Sequence, residues 1–417
     1  MQDPPVHPDP VKAPKLFFVA GEPSGDQHAA NLIRALRQQR PGAQVTGLGG
    51  PRMQEAGCTL RQNMMDMSWM WFSTALFGLH RVFKLQRQTL DYLDRNRPHA
   101  LVLVDFPGFN LTLARFVRKR RIPVLYYISP QIWAWASWRI RKIRRRVTKM
   151  LCIFPFEESI YREAGVPVEY VGHPLFDHLR SVSLDEDFPQ MIHRAQHPRV
   201  VGLLPGSRRQ VVGHSVPVMF KAAELIYRAL PDTHFVVSCQ QEQFRPLIEP
   251  WLTHAAIPVQ MVVQHTLELM KRADLCLASS GTTTLELAHF GTPMVVLYRI
   301  NPAGYGVSQL MMNTRHFSLV NILAGRQIVP EFLLWRDDAA RIAYSALAIL
   351  RDPLLQEETA RELQRIRDMV DHPGASDKAA RAVLRFVDTV REAPIHNGTD
   401  NEAQVLARGG ALGIGEN

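Results

Sequence analysis

Leu16-Phe-Phe-Val-Ala-Gly-Glu-Pro-Ser-Gly-Asp26 decides the fold. An apolar run of strand length ends in a glycine-bounded turn, and an amphipathic helical stretch follows, which is the opening of a βαβ unit. Working outward, the same alternation recurs in two blocks. In the first, Leu16–Ala20, Gln44–Gly47, Ala100–Val104, Val124–Ile128 and Met150–Ile153 read as strands with helices between them. In the second, Val200–Leu204, His234–Val237, Val259–Val263, Asp274–Leu277 and Met294–Leu297 do the same. Each block has the size of one doubly wound, Rossmann-like α/β domain. Residues 177–199 are polar and aperiodic, so 15–176 and 200–370 are read as two domains joined by a linker and facing a central cleft. Helical stretches at 337–350 and 354–370 follow, then a break at Pro373-Gly374. A last amphipathic helix, 371–391, is placed to pack back on the first domain. Residues 1–14 and 392–417 read as disordered ends.

A chain of 417 residues, 46% hydrophobic and 21% charged, can bury two ordinary cores. Cys58, Cys152, Cys239 and Cys276 are far apart and lack C-x-x-C spacing, so they read as reduced core thiols. The first residues lack the basic-then-apolar order of a secretory signal, and no apolar stretch is long enough to span a bilayer. The reading is therefore a cytoplasmic protein. A formal charge of +10 implies an anionic partner without selecting among nucleic acid, anionic lipid and a phosphorylated substrate.

Open α/β sheets bind ligands at the carboxyl ends of their strands, so the loops there carry the chemistry. In Gly21-Glu-Pro-Ser-Gly-Asp26, the residues Gly21, Glu22, Ser24, Gly25 and Asp26 suit either close approach to a phosphate or sugar, or an ordinary capped turn. Gly47-Leu-Gly-Gly-Pro51 is a second glycine turn that opens a short helix. In the second block, Leu204-Pro-Gly-Ser-Arg208 repeats the arrangement, and Gly206, Ser207 and Arg208 offer N–H groups, a hydroxyl and a guanidinium fork to a diphosphate.

The most informative stretch is Leu277-Ala-Ser-Ser-Gly-Thr-Thr-Thr-Leu-Glu-Leu-Ala288. Ser280, Gly281 and Thr282 precede a helix start and form a metal-free anion site. Glu286 suits ribose hydroxyls, and equally a capping box with Thr283. Val104-Asp-Phe-Pro-Gly-Phe-Asn110 puts Asp105 at the end of a buried strand, where a carboxylate serves as a general base or caps the next turn. Histidines lack paired ligand spacing, so no metal is expected. Asp185-Glu-Asp187 reads as a solvated charge run.

Two features point to a membrane surface. Met67–Leu79 is uncharged, too short to span, and carries Trp69, Trp71, Phe72 and Phe77, residues suited to an interface; Arg81, Lys84 and Arg87 follow on a helix. Arg139–Lys149 sets Ile140, Ile143 and Val147 inward and its cations outward, which attracts anionic lipid or nucleic acid. No zinc finger, RNP-like motif or recognition-helix pattern accompanies the charge, so nucleic acid is not expected as a partner.

Together these residues resemble one family, the lipid-A-disaccharide synthases. The matching segments are Val19–Asp26, Gly49–Met53, Asp105–Asn110, Ser129–Trp135, Pro155–Glu157, Val171–His173, Leu204–Arg208, Ser280–Thr282 with Glu286, Pro293–Arg299 and Ser318–Arg326, in order along the chain. The resemblance implies a GT-B fold and an inverting transfer from UDP-2,3-diacylglucosamine to 2,3-diacylglucosamine 1-phosphate, giving a β-1′,6 linkage and UDP without a metal or other cofactor. It implies Asp105 as general base, and Arg208, Glu286 and Asn321 on the nucleotide side. Asn110 falls in the acceptor-side loop. The resemblance also implies a peripheral place on the inner face of the cytoplasmic membrane and a capacity to form homodimers. Two departures stand out. Many members carry a second Asp where this chain has Gly108, and a Met-Gly-x-x-Glu segment where it reads Met70-Trp-Phe-Ser-Thr74. A UDP-sugar 2-epimerase or another GT-B transferase would share the fold and the nucleotide loop. A non-enzymatic basic binder would share only the charge.

Overall fold

The computed structural model describes residues 13–65, 75–135, 137–192, 198–299 and 316–392. The chain forms two compact units. The first ends at Asp177 and resumes at His372, whereas the second runs from His178 to Asp371 and takes in Trp133–Trp135.

Among the described residues, the sheet of the first unit has seven strands: β1 Lys15–Ala20, β2 Gln44–Gly49, β3 Thr59–Asn63, β4 Ala100–Val104, β5 Val124–Tyr127, β6 Lys149–Cys152 and β7 Val168–Tyr170, in the order β3-β2-β1-β4-β5-β6-β7. That of the second unit has six described strands: β8 Arg199–Leu204, β9 Thr233–Cys239, β10 Val259–Val263, β11 Leu275–Ser279, β12 Met294–Arg299 and β13 Glu331–Leu334, in the order β10-β9-β8-β11-β12-β13. Every pairing is parallel. Central parallel strands are covered on both faces, which is why Ala-Leu-Val-Leu-Val in β4 is continuously apolar and buried throughout.

Strands β3, β7 and β13 are absent from the sequence reading for a physical reason. All three lie at sheet edges, where burial is partial, and Thr-Leu-Arg-Gln-Asn in β3 carries no buried alternation. The strand order reverses between β1 and β4 in the first sheet and between β8 and β11 in the second. The carboxyl-end loops of these four strands are therefore where each unit can receive a ligand.

Helices cover both sheets. Phe17, Leu103, Leu113, Val117, Tyr126 and Met150 are among the side chains packed in the first core. Phe220, Phe235, Leu277 and Ile342 belong to the second. The helix Ala375–Glu392 lies in the first unit and packs on the helix Pro23–Gln39. Its buried Ala379, Ala380 and Ala382 permit close approach, and Arg40 meets Asp388 through two bonds of 2.9 and 3.0 Å. The Asp177 carboxylate accepts the N–H groups of Gly374, Ala375 and Ser376 at 2.8–3.3 Å, satisfying donors at the start of that helix.

The polar stretch 177–199 is not a featureless linker. It holds the end of the helix Pro174–Ser181 and the short helix Phe188–Met191, and Phe188 is fully buried against the His265 ring. One large aromatic anchors an otherwise polar segment, and no periodicity is needed for that. The four cysteines are buried and unbridged, and burial pushes the Cys58 thiol up to about 12.

Candidate functional site

At the switch point of the first sheet, the backbone leaves β4 through two successive left-handed residues, Asp105 (φ 48°) and Phe106 (φ 50°), and leaves β5 through a third, Ile128 (φ 63°). Non-glycine residues in this region cost roughly 1–3 kcal/mol each and persist only where their surroundings hold them. The surroundings of Asp105 do so. Its N–H donates to Tyr127 O at 3.0 Å, and its C=O accepts from Tyr126 Oη at 2.6 Å and from Asn110 Nδ2 at 2.7 Å. The same Asn110 amide reaches Val104 O at 3.2 Å. Asn110 is fully buried, and its amide nitrogen braces the loop from behind. The Phe106 ring lies against Gly21, where a Cβ would come within 2.1 Å of it. Gly21 thus lets the β1 and β4 loops close on each other.

The β1 loop also differs from its reading as a ligand loop. Asp26 is 2% exposed, and its carboxylate accepts Gly50 N–H at 2.8 Å, Arg52 N–H at 3.1 Å and Met53 N–H at 3.1 Å. It caps the neighbouring helix Pro51–Glu55 and is committed there. Glu22 stands at the N-cap of Pro23–Gln39 without a side-chain cap bond; Ser24 is exposed and Gly25 buried.

In the second sheet, the β8 loop turns at Gly206 (φ +108°), where a Cβ would meet Val211 at 3.0 Å. Ser279, buried at the end of β11, donates to Pro205 O at 2.9 Å; its Oγ, with one proton to give, then accepts from Ser215 Oγ at 2.9 Å. This ties the β8 and β11 loops together. Ser207 and Arg208 are exposed, with Arg208 at the N-cap of the helix Arg209–Ala229.

Beyond β11, Ser280 N–H is committed to Leu297 O at 3.0 Å and Thr284 N–H to Gly281 O at 3.2 Å. Between them, the N–H groups of Gly281, Thr282 and Thr283 meet no acceptor among the described residues. They precede the first turn of the helix Thr283–Phe290, and at Gly281 (φ +149°) nothing lies within 4 Å of where a Cβ would sit. An open turn of unpaired donors at a helix amino end is an anion site.

Glu286 forms no capping box, because the helix starts at Thr283 with Thr282 as N-cap and no side-chain cap bond. Burial instead pushes its carboxyl up to about 7. The folded chain then holds a proton that the unfolded chain releases near its ordinary 4.5. The stabilising difference is fully present below about pH 4.5 and is lost as pH rises through about 7. Glu286→Gln should remove that slope. Between pH 5 and pH 8, wild type is expected to lose roughly 2 kcal/mol relative to the variant in urea titrations, allowing for partial solvent access. Parallel stability–pH curves would contradict this.

Asn321, which the resemblance places on the nucleotide side, is bonded to the main chain. It is fully buried; its Nδ2 donates to Val329 O at 2.9 Å, and its Oδ1 accepts Ile328 N–H at 2.8 Å and Val329 N–H at 3.1 Å. Both ends of the amide are used in folding the chain back toward β13. Tyr126 and Ser279, whose hydroxyls pin the two switch-point loops, are not marked by any motif in the sequence. The available signal was a hydroxyl inside an otherwise apolar strand, since a buried hydroxyl needs a partner.

Trp69, Trp71 and Phe72 lie outside the described residues, as does the side chain of Phe77. Arg81, Lys84 and Arg87 are exposed on the helix Ala75–Asn96. On the helix Ile140–Arg146, Ile143 is buried, and Arg141, Lys142, Arg144 and Arg145 are exposed beside Trp138, which stacks against Arg139 and Lys142. Among the described residues no group of three metal-ligating side chains occurs, and no helix is long and apolar enough to cross a membrane.

A family model described as Lipid-A-disaccharide synthetase matches residues 16–385. Lipid-A-disaccharide synthase of Syntrophus aciditrophicus (strain SB) is 35% identical over 373 residues, covering 89% of this chain and 97% of that protein. The protein of the same name from Anaeromyxobacter dehalogenans (strain 2CP-1) is 38% identical over 371 residues, covering 89% and 97%. Among solved structures, UDP-GlcNAc 2-epimerase from Neisseria meningitidis bound to UDP-GlcNAc matches with a TM-score of 0.59 at 14% identity, covering 90% of this chain and 99% of that one. At that identity the likeness concerns the fold, two Rossmann-like units of GT-B type.

Proposed function

Because this chain belongs to the lipid-A-disaccharide synthetase family, and is a glycosyltransferase on that ground, we propose that it joins 2,3-diacylglucosamine, donated as its UDP derivative, to 2,3-diacylglucosamine 1-phosphate. The observation that carries this reading is the turn from Gly281 to Thr283, whose N–H groups meet no acceptor among the described residues, at the switch point of the second sheet. It suits the diphosphate of a nucleotide sugar and falls in a segment that resembles the family's motif.

In the proposed reaction, the acceptor 6-hydroxyl attacks the anomeric carbon from the face opposite the UDP, inverting that carbon. Asp105 takes the hydroxyl proton, and the bond to the diphosphate oxygen breaks with its electron pair leaving on UDP. The charge that develops on UDP is met by the Gly281–Thr283 N–H groups and by the Arg208 guanidinium. Glu286 accepts from the ribose hydroxyls through its carboxyl oxygens. These donors supply the positive field, so the reading needs no metal and no cofactor. The exposed cations of Ile140–Arg146 and Ala75–Asn96 favour work at an anionic membrane surface, where an acylated acceptor resides.

The test is to incubate the full chain with both diacylated substrates in detergent with EDTA and to quantify UDP and disaccharide. Equimolar formation is expected. UDP release only on addition of a divalent cation would contradict the metal-free reading, and sugar interconversion without acceptor consumption would favour an epimerase. Arg208→Ala should raise the donor KM about 10- to 100-fold, the range for a lost charge-assisted contact to a diphosphate. An unchanged donor KM and kcat would remove Arg208 from the site.

A further inference from the structure

We infer that Tyr126, acting with Asn110, is a positioning residue for the transfer: its buried hydroxyl holds the Asp105 backbone in the left-handed turn that aims the carboxylate. The inference rests on Asp105 being the base. A strand continued in extended geometry would carry residue 105 on along β4, with its side chain on one face of the sheet. Two successive left-handed residues, Asp105 and Phe106, redirect it at the carboxyl end, where ligands bind. Such a turn relaxes unless its peptide groups are held, and the Asp105 carbonyl is held twice. The Tyr126 hydroxyl reaches it at 2.6 Å from the adjacent strand β5, and the Asn110 amide at 2.7 Å from the helix Pro107–Arg118.

Both donors are fully buried, so water does not replace either without opening the core. Burial also holds the Tyr126 hydroxyl well above its ordinary pKa, so it remains a donor throughout the working pH range. A third restraint is the Phe106 ring seated on Gly21. A parallel device braces the β5 loop: the buried Tyr161 hydroxyl donates to Pro130 O at 3.2 Å, two residues beyond left-handed Ile128. Tyr126 touches no substrate in this scheme and acts only through the placement of Asp105.

The experiment is a double-mutant cycle of Tyr126→Phe and Asp105→Asn in the full chain, assayed for disaccharide with both substrates varied. Tyr126→Phe should lower kcat about 10- to 100-fold, the scale expected when a catalytic group is displaced by about 1 Å. Both KM values should stay within about 2-fold. In the Asp105→Asn background the same change should leave the residual rate within about 2-fold, because there is no longer a base to position. Gly21→Ala, which unseats the Phe106 ring while keeping both hydrogen bonds, should show the same loss and the same non-additivity, and it serves if Tyr126→Phe folds poorly. An equal fold-loss in both backgrounds, a loss carried by KM, or an unchanged kcat overturns the positioning role. Near-full activity of Asp105→Asn alone overturns the base assignment, and the positioning role falls with it.

Discussion

Asp105→Asn is expected to lower kcat by about 10²- to 10⁴-fold, the usual worth of a positioned general base, while the protein folds as before. The substitution is nearly isosteric, and Asn tolerates the left-handed region at least as well as Asp. The backbone contacts that hold residue 105 run through its N–H and C=O, which the change leaves untouched. The fold should therefore persist, and KM for both substrates should change little. The measurement is steady-state kinetics with both substrates saturating, paired with a thermal or urea melt. A variant that keeps near-full activity places the base on another residue. A variant that loses activity only by unfolding assigns Asp105 to structure.

Asp26→Ala should produce the largest loss of stability, about 3–5 kcal/mol, out of the roughly 5–15 kcal/mol typical of a folded domain. The change strands three backbone donors, those of Gly50, Arg52 and Met53, at the start of a helix whose first residue is proline. At 2% exposure the Asp26 site admits little water to replace the carboxylate. Gly50 contributes to the fit, since a Cβ there would come within 2.5 Å of Asp26 Oδ2. Asp26→Asn should recover only part of the loss: its oxygen can still accept, but its amide nitrogen would face one of the N–H donors. Urea titration should show a lowered midpoint with an unchanged slope. A normal midpoint together with a raised acceptor KM would instead return Asp26 to the substrate.

These two aspartates read alike in the sequence, each beside a glycine turn at the end of an apolar strand, and the fold separates them. Asp26 points back into backbone donors contributed from 24–27 residues further along the chain. Asp105 sits on a left-handed turn held from behind by Tyr126 and Asn110. The resemblance places Asn321 and Asn110 on the ligand side, yet the Asn321 amide binds a main-chain carbonyl and two N–H groups, and the Asn110 amide nitrogen binds the carbonyls of Val104 and Asp105. A buried amide that satisfies a loop is as indispensable to a family as one that binds a substrate, so the motif alone does not tell them apart. The edge strands β3, β7 and β13 are not legible in the sequence, because their burial is partial and their stretches are short or polar, whereas the edge strand β10, Val-Gln-Met-Val-Val, is apolar enough to be read. The central strands, whose neighbours cover both faces, were plain from composition.

By itself the sequence determined two doubly wound sheets, the glycine turns at their carboxyl ends, and the family, since apolar runs, turn residues and motif order are local properties of the chain. The tertiary structure decided which polar groups remain available to a ligand. The N–H groups of Gly281 to Thr283 stay unpaired among the described residues, whereas Asp26 and Asn321 are consumed. That distinction depends on hydrogen-bond partners and burial, and partners distant in sequence come together only when the sheet order is complete.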